Sequence, residues 1–114
     1  MVGRIDEPVP ELSAREAYRH FSASESDAPA ALIDVREVWE FREGRARGAV
    51  NIPLSEFRTR VAEVPTDREV LFICHSGQRS QTAAKFARQQ GIARVFNVDG
   101  GTDAWEAANL PMER

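Results

Sequence analysis

The sequence predicts an α/β domain whose mostly parallel sheet is covered by helices on both faces. Three observations carry that expectation. Strand-like apolar runs alternate with helix-like segments along the chain. The clearest strand, Glu69 to Cys74, runs without a break through Val70-Leu71-Phe72-Ile73, the pattern of a strand buried on both faces. The 114 residues suit one compact domain, and 42% apolar with 29% charged residues supply a core and a solvated surface.

Residues 1 to 8 read as an N-terminal tail and residues 9 to 114 as the domain. Val9-Pro10-Glu11-Leu12 is a short first strand, which Pro10 confines to an edge or a strand start. Ser13 and Glu16 form a capping box, and Ala17 and Phe21 then mark one helical face with Leu12. Ser22 to Pro29 is a polar loop. Ala31-Leu32-Ile33-Asp34-Val35 is a buried strand. Val38, Trp39 and Phe41 sit on a short helix stopped by Gly44, and Ala49 to Pro53 is a strand closed by proline. Ser55 is placed to cap a helix that carries Phe57 and Val61 and ends before Pro65. Ser80 to Gln90 has Ala83, Phe86 and Ala87 at helical spacing, with Gly91 as its stop. Arg94 to Val98 is a last strand, and Gly100-Gly101 turns it into a helix around Trp105 that Asn109 and Pro111 end. Trp39, Phe41 and Trp105 read as core or crevice wall.

Charge and composition exclude several classes. The net charge is -3 with mixed signs, so no basic patch points to nucleic acid and no basic amphipathic segment points to a membrane surface. No apolar run approaches a membrane span, and the first residues lack the apolar core of a secretory signal. Cys74 is the single cysteine, so it has no disulfide partner in the chain; with His20 and His75 it makes no metal-ligand spacing. These features favour a cytoplasmic setting with a reduced thiol and no metal.

The chemistry concentrates at Cys74-His75-Ser76-Gly77-Gln78-Arg79-Ser80, directly after the best strand. In parallel sheets, sites form outside the carboxyl ends of the strands, and Asp34 to Arg36 falls at another such end. Two readings of Cys74 compete: a small buried hydrophobe, or an activated nucleophile. The loop favours the second. Gly77 permits a turn whose amides point inward, the following helix presents free N–H groups, and Arg79 adds a fixed positive charge. All three stabilise a thiolate and an anion bound above it. His75 is a loop-wall or substrate-contact residue, or a solvated bystander. Asp34 and Arg36 read as supports: the carboxylate accepts loop amides, and Arg36 pairs with Asp34 or Glu40.

The same loop resembles the active-site loop of rhodanese-type sulfurtransferases. The resemblance continues in Leu32-Ile33-Asp34-Val35-Arg36-Glu37 with Glu40 and Phe41, in Gly48-Ala49-Val50-Asn51-Ile52-Pro53, and in Gly100-Gly101, Ala104-Trp105 and Leu110-Pro111. It spans nearly the whole chain, from about Glu11 to Pro111. It departs at Arg45-Ala46-Arg47, where the family usually has a histidine and an isoleucine after the glycine.

The resemblance implies a rhodanese-like three-layer fold with five mostly parallel strands flanked by helices. It implies a monomeric sulfurtransferase without a cofactor, in which Cys74 carries sulfur as a persulfide. The loop residues His75, Ser76, Gly77, Gln78, Arg79 and Ser80 would line the substrate site, with Arg79 helping to bind an anionic donor. The partners implied are a small thiosulfate-like donor and a cyanide or thiol acceptor, with a protein thiol as a further candidate. Two rivals stay open: a persulfide carrier or partner-binding module without catalysis, and a cysteine-dependent phosphatase or arsenate reductase. The phosphatase loop has one residue more between cysteine and arginine than the four found here. The shorter loop makes a bowl suited to one sulfur atom.

Overall fold

The computed structural model describes residues 7–22 and 29–114. Most of the expected tail and polar loop therefore lies outside the described residues. Along the chain run β1 (Glu11–Leu12), α1 (Ala14–Ser22), β2 (Ala31–Asp34), α2 (Val38–Glu43), β3 (Arg45–Ala46) and β4 (Val50–Asn51). They are followed by α3 (Leu54–Arg60) with a 3-10 turn (Val61–Glu63), β5 (Val70–Ile73), α4 (Gln78–Gln89), β6 (Val95–Val98), α5 (Gly101–Ala107) and β7 (Met112–Glu113). Five strands form one sheet in the order β1-β6-β5-β2-β4, and every neighbouring pair is parallel. This is the α/β architecture expected from the alternation, with β5 at the centre.

Strand periodicity then sorts the side chains into two cores. Val70 and Phe72 of β5 pack with Ile33, Val35, Phe57, Ala83, Ala84 and Ala87, beneath α3 and α4. Leu71 and Ile73 face the other way, into a core with Leu32, Ala14, Ala17 and Trp105, beneath α1 and α5. Every residue of β5 is fully buried, which is why its sequence is apolar throughout. Cys74 continues the alternation onto the α3/α4 side. The fold thus sets the thiol against the helix that follows it.

Local signals explain most element boundaries. The Ser13 amide donates to Glu16 Oε1 at 2.8 Å and the Glu16 amide to Ser13 Oγ at 3.1 Å, so the capping box forms and starts α1. Trp105 is fully buried, packs edge-on to Tyr18, and donates its Nε1 hydrogen to the Pro111 carbonyl at 2.8 Å.

Two expectations need correction. Ser55 caps no helix: α3 begins at Leu54 behind Pro53, and the Ser55 hydroxyl donates to the Glu37 carboxylate. Proline at that place supplies the fixed φ of a helix entry without wasting an amide. The helix after the cysteine loop begins at Gln78, two residues earlier than Ser80, because Gly77 at φ +110° turns the chain straight into it. Arg45-Ala46 forms a strand antiparallel to Met112-Glu113, and Ala46 is fully buried beneath α5.

Candidate active site

The peptide around Cys74 is held from below by α5. The Cys74 carbonyl accepts hydrogen bonds from the Thr102 amide at 2.7 Å and the Thr102 hydroxyl at 2.9 Å. The His75 carbonyl accepts from the Asp103 amide at 3.2 Å. Both carbonyls thus receive donors at the start of α5 and turn away from the thiol. Gly101 makes this approach possible: a Cβ there would lie 2.4 Å from the Cys74 oxygen and 2.7 Å from the His75 oxygen, at a φ of +58°. The sequence places Gly100-Gly101 at a turn from the last strand into a helix. The backbone that approaches is the cysteine loop itself. We expect Gly101→Ala to cost about 2–3 kcal/mol in denaturant unfolding, since both overlap and a strained φ act at once.

On its other side the loop is tied to β6. The fully buried Asn97 donates Nδ2 to the Gly77 carbonyl at 3.0 Å and to Glu11 Oε2 at 3.2 Å. Gly77 itself sits 3.1 Å from Cys74, its amide donating to the sulfur. The Ser80 hydroxyl, in the first turn of α4, donates to the same sulfur at 3.2 Å. With the Gly77 amide, the amides of Ser80 and Ser76 also favour the ionised sulfur. Ser76 and Gln78 turn their side chains to solvent, so Ser76 contributes backbone to this arrangement.

Burial alone pushes the Cys74 thiol up, and it is the largest single influence. The Ser80 hydroxyl and the three amides together outweigh it, and the thiol ends below its ordinary value. An alkylating reagent should therefore react with Cys74 at a pH where a free thiol is still protonated. Ser80→Ala should move that profile upward and slow alkylation at neutral pH several-fold. A profile that coincides with a free thiol in both proteins would contradict the arrangement described.

Arg79 is engaged with α2 across the site. Its Nη1 meets Glu40 Oε1 at 2.7 Å and its Nη2 meets Oε2 at 2.9 Å, a bidentate pair. The Arg79 guanidinium holds the Glu40 carboxyl down to about 2. Asp34 and Arg36 form a second, buried pair. Arg36 Nη2 bonds Asp34 Oδ2 at 2.8 Å and the Gly44 carbonyl at 2.7 Å, while the Arg36 amide bonds Oδ1 at 2.9 Å. Arg36 therefore takes Asp34, and Glu40 is left to Arg79.

His75 is exposed, with Nε2 3.3 Å from Asp103 Oδ2. It walls a cavity of about 320 Å³ that Arg36, Trp39, Glu40 and Glu106 also line and that Cys74 does not reach. Trp39 is 65% exposed, so it is crevice wall and not core.

Thr102 and Asn97 carry parts of the site that the sequence did not mark as such, and Glu40, which the sequence offered to Arg36, holds Arg79 instead. Thr102 and Asn97 look like ordinary polar residues of a helix start and a strand. Their partners lie 28 and 20 residues away, and no local pattern records that.

A thiol at the end of the central strand of a five-stranded parallel sheet, facing the N-terminus of the next helix, defines a cysteine-loop α/β domain. The chain belongs to the rhodanese-like domain family, whose model matches residues 13–108. It is similar to YrkF of Bacillus subtilis, named as a candidate sulfur carrier protein, at 38% identity over 97 residues. That match covers 85% of this chain and 51% of YrkF, so the chain spans about half the relative's length. It is also 38% identical over 81 residues to a sulfurtransferase of Allochromatium vinosum, covering 71% of this chain and 76% of the relative. Among solved structures, a rhodanese-related protein of Thermoplasma volcanium superposes with a TM-score of 0.80 at 29% identity, covering 91% of this chain and 97% of that one. Among the described residues, no helix is long and apolar enough to cross a membrane.

Proposed function

We propose that this chain is a sulfurtransferase that moves sulfane sulfur from a thiosulfate-like donor to a nucleophilic acceptor through a persulfide on Cys74. One observation carries the reading: the Cys74 sulfur accepts hydrogen bonds from the Gly77 amide and the Ser80 hydroxyl at the start of α4. The membership of the family and the sulfurtransferase and sulfur-carrier names of its relatives support it.

The mechanism follows from these donors. The Cys74 thiolate attacks the outer sulfur of thiosulfate. A new S–S bond forms on Cys74, the donor's S–S bond breaks, and sulfite leaves with the electron pair. The negative charge now sits on the outer persulfide sulfur. The amides of Ser76, Gly77 and Ser80, which already favour charge on Sγ, are fixed donors beside it, so little reorganisation is needed. A cyanide or thiol acceptor then attacks that sulfur, the persulfide bond breaks, and Cys74 returns as thiolate. Splitting one transfer into two displacements is covalent catalysis. His75, Gln78 and Arg79 border the loop, and Asp34 with Arg36 braces the neighbouring strand end.

The test is turnover of thiosulfate with cyanide beside turnover of a phosphate ester. The proposal expects thiocyanate formation and no phosphate release. Phosphate release without thiocyanate would replace it by the phosphatase reading. Single loading without turnover would identify a carrier.

A further inference from the structure

Arg79 borders the cysteine loop and feels the Cys74 thiolate. Its charge, however, is already matched. Both Glu40 oxygens are engaged by its guanidinium, and Glu40 Oε1 is fixed from behind by the Glu37 amide at 3.0 Å. The Glu40 side chain is only 16% exposed and stays ionised through neutral pH. The arginines of the neighbouring cavity are matched as well, Arg36 by Asp34 and Arg114 by Glu106. Glu43 and Asp103 remain on its wall, with His75 beside Asp103. A small dianion at the loop therefore meets a cancelled cation, with two further carboxylates on the wall of the neighbouring cavity.

We infer that Glu40 sets the donor class of the site, favouring sulfane sulfur carried on an organic thiol, a hydropersulfide, over inorganic thiosulfate. The inference rests on the sulfurtransferase reading and narrows it. For Arg79 to grip thiosulfate it must leave Glu40. That strands a mostly buried carboxylate beside a doubly charged ligand, and removing one partner of such a pair is costly. A hydropersulfide carries at most one negative charge on its reacting group, against two on thiosulfate, and depends less on a free cation. The Cys74 thiolate attacks the terminal sulfur of RS–SH and forms a new S–S bond. The R-bearing S–S bond breaks, and RS⁻ leaves with the electron pair. RS⁻ takes up the proton released as the Cys74 persulfide ionises against the loop donors, so the products are RSH and the persulfide anion.

The experiment loads the protein with either cysteine hydropersulfide or thiosulfate, without acceptor, and follows the rate by intact mass. Glu40→Gln removes the charge and keeps an oxygen for the Glu37 amide. The native protein should load faster from the hydropersulfide at equal concentration. Glu40→Gln should raise the thiosulfate rate relative to the hydropersulfide rate about tenfold, because one unit charge is removed from the site. Added potassium chloride should speed thiosulfate loading of the native protein, since screening weakens the repulsion, and slow it in the variant. An unchanged donor ratio in Glu40→Gln overturns the inference. Should the variant not fold, the salt series on the native protein decides: thiosulfate loading that slows with salt overturns it equally. A native protein loaded by neither donor overturns the sulfurtransferase reading itself.

Discussion

Cys74→Ser is expected to lower sulfur transfer by at least about a thousandfold while the domain stays folded. A serine hydroxyl is not ionised at neutral pH and forms no persulfide. The site would keep its donors and lose its nucleophile. Folding should survive because serine is close in size, and its oxygen can accept from the Gly77 amide and the Ser80 hydroxyl as the sulfur does. The environment is partly apolar, since Cys74 belongs to the α3/α4 core, so a cost of about 1 kcal/mol is expected. Steady-state assay and thermal unfolding on one preparation check both halves. Substantial turnover by folded Cys74→Ser would show that the chemistry does not pass through this thiol.

Asp34→Ala should have the largest effect on stability, roughly 3–5 kcal/mol, because it leaves a buried guanidinium without its carboxylate. Asp34 is fully buried and Arg36 nearly so. Asp34 also receives the Arg36 amide, and Asn51 Nδ2 bonds the carbonyls of Asp34 and Arg36, both at 2.9 Å. Removing the carboxylate therefore leaves unmatched the group that ties β2 to Gly44 at the end of α2. Asp34→Asn keeps an acceptor in place and should lose less. Urea unfolding measures the difference. A loss below about 1 kcal/mol for Asp34→Ala would mean that the pair is not what holds this strand end. In the same geometry Asp34 and Arg36 are occupied by each other.

The fold was legible where local rules act alone. The run Val70-Leu71-Phe72-Ile73 signalled a doubly buried strand, and Ser13 with Glu16 signalled a helix start. The cysteine loop was legible too, because a strand end, a glycine and a helix start lie within seven residues. The strands β3 and β7 were not. Two-residue strands carry no periodicity, and their pairing joins Arg45 to Glu113 across most of the chain. Ser55 misled because its hydroxyl finds a partner on Glu37, where local capping rules do not look. The Arg79 partner was hidden for the same reason: 39 residues separate it from Glu40. Trp39 has the composition of a core residue, and only the packing of α2 leaves it on the crevice wall.

Intact-protein mass spectrometry decides whether sulfur rides on Cys74. The chain has no second cysteine to resolve an intermediate. A persulfide held by the loop donors must therefore wait for an external nucleophile. Incubation with donor alone should yield protein heavier by one sulfur atom, with the added mass on the peptide containing Cys74. Cyanide or a small thiol should then restore the original mass. A chain that never gains sulfur from any sulfane donor, or that gains it elsewhere than Cys74, would contradict the account.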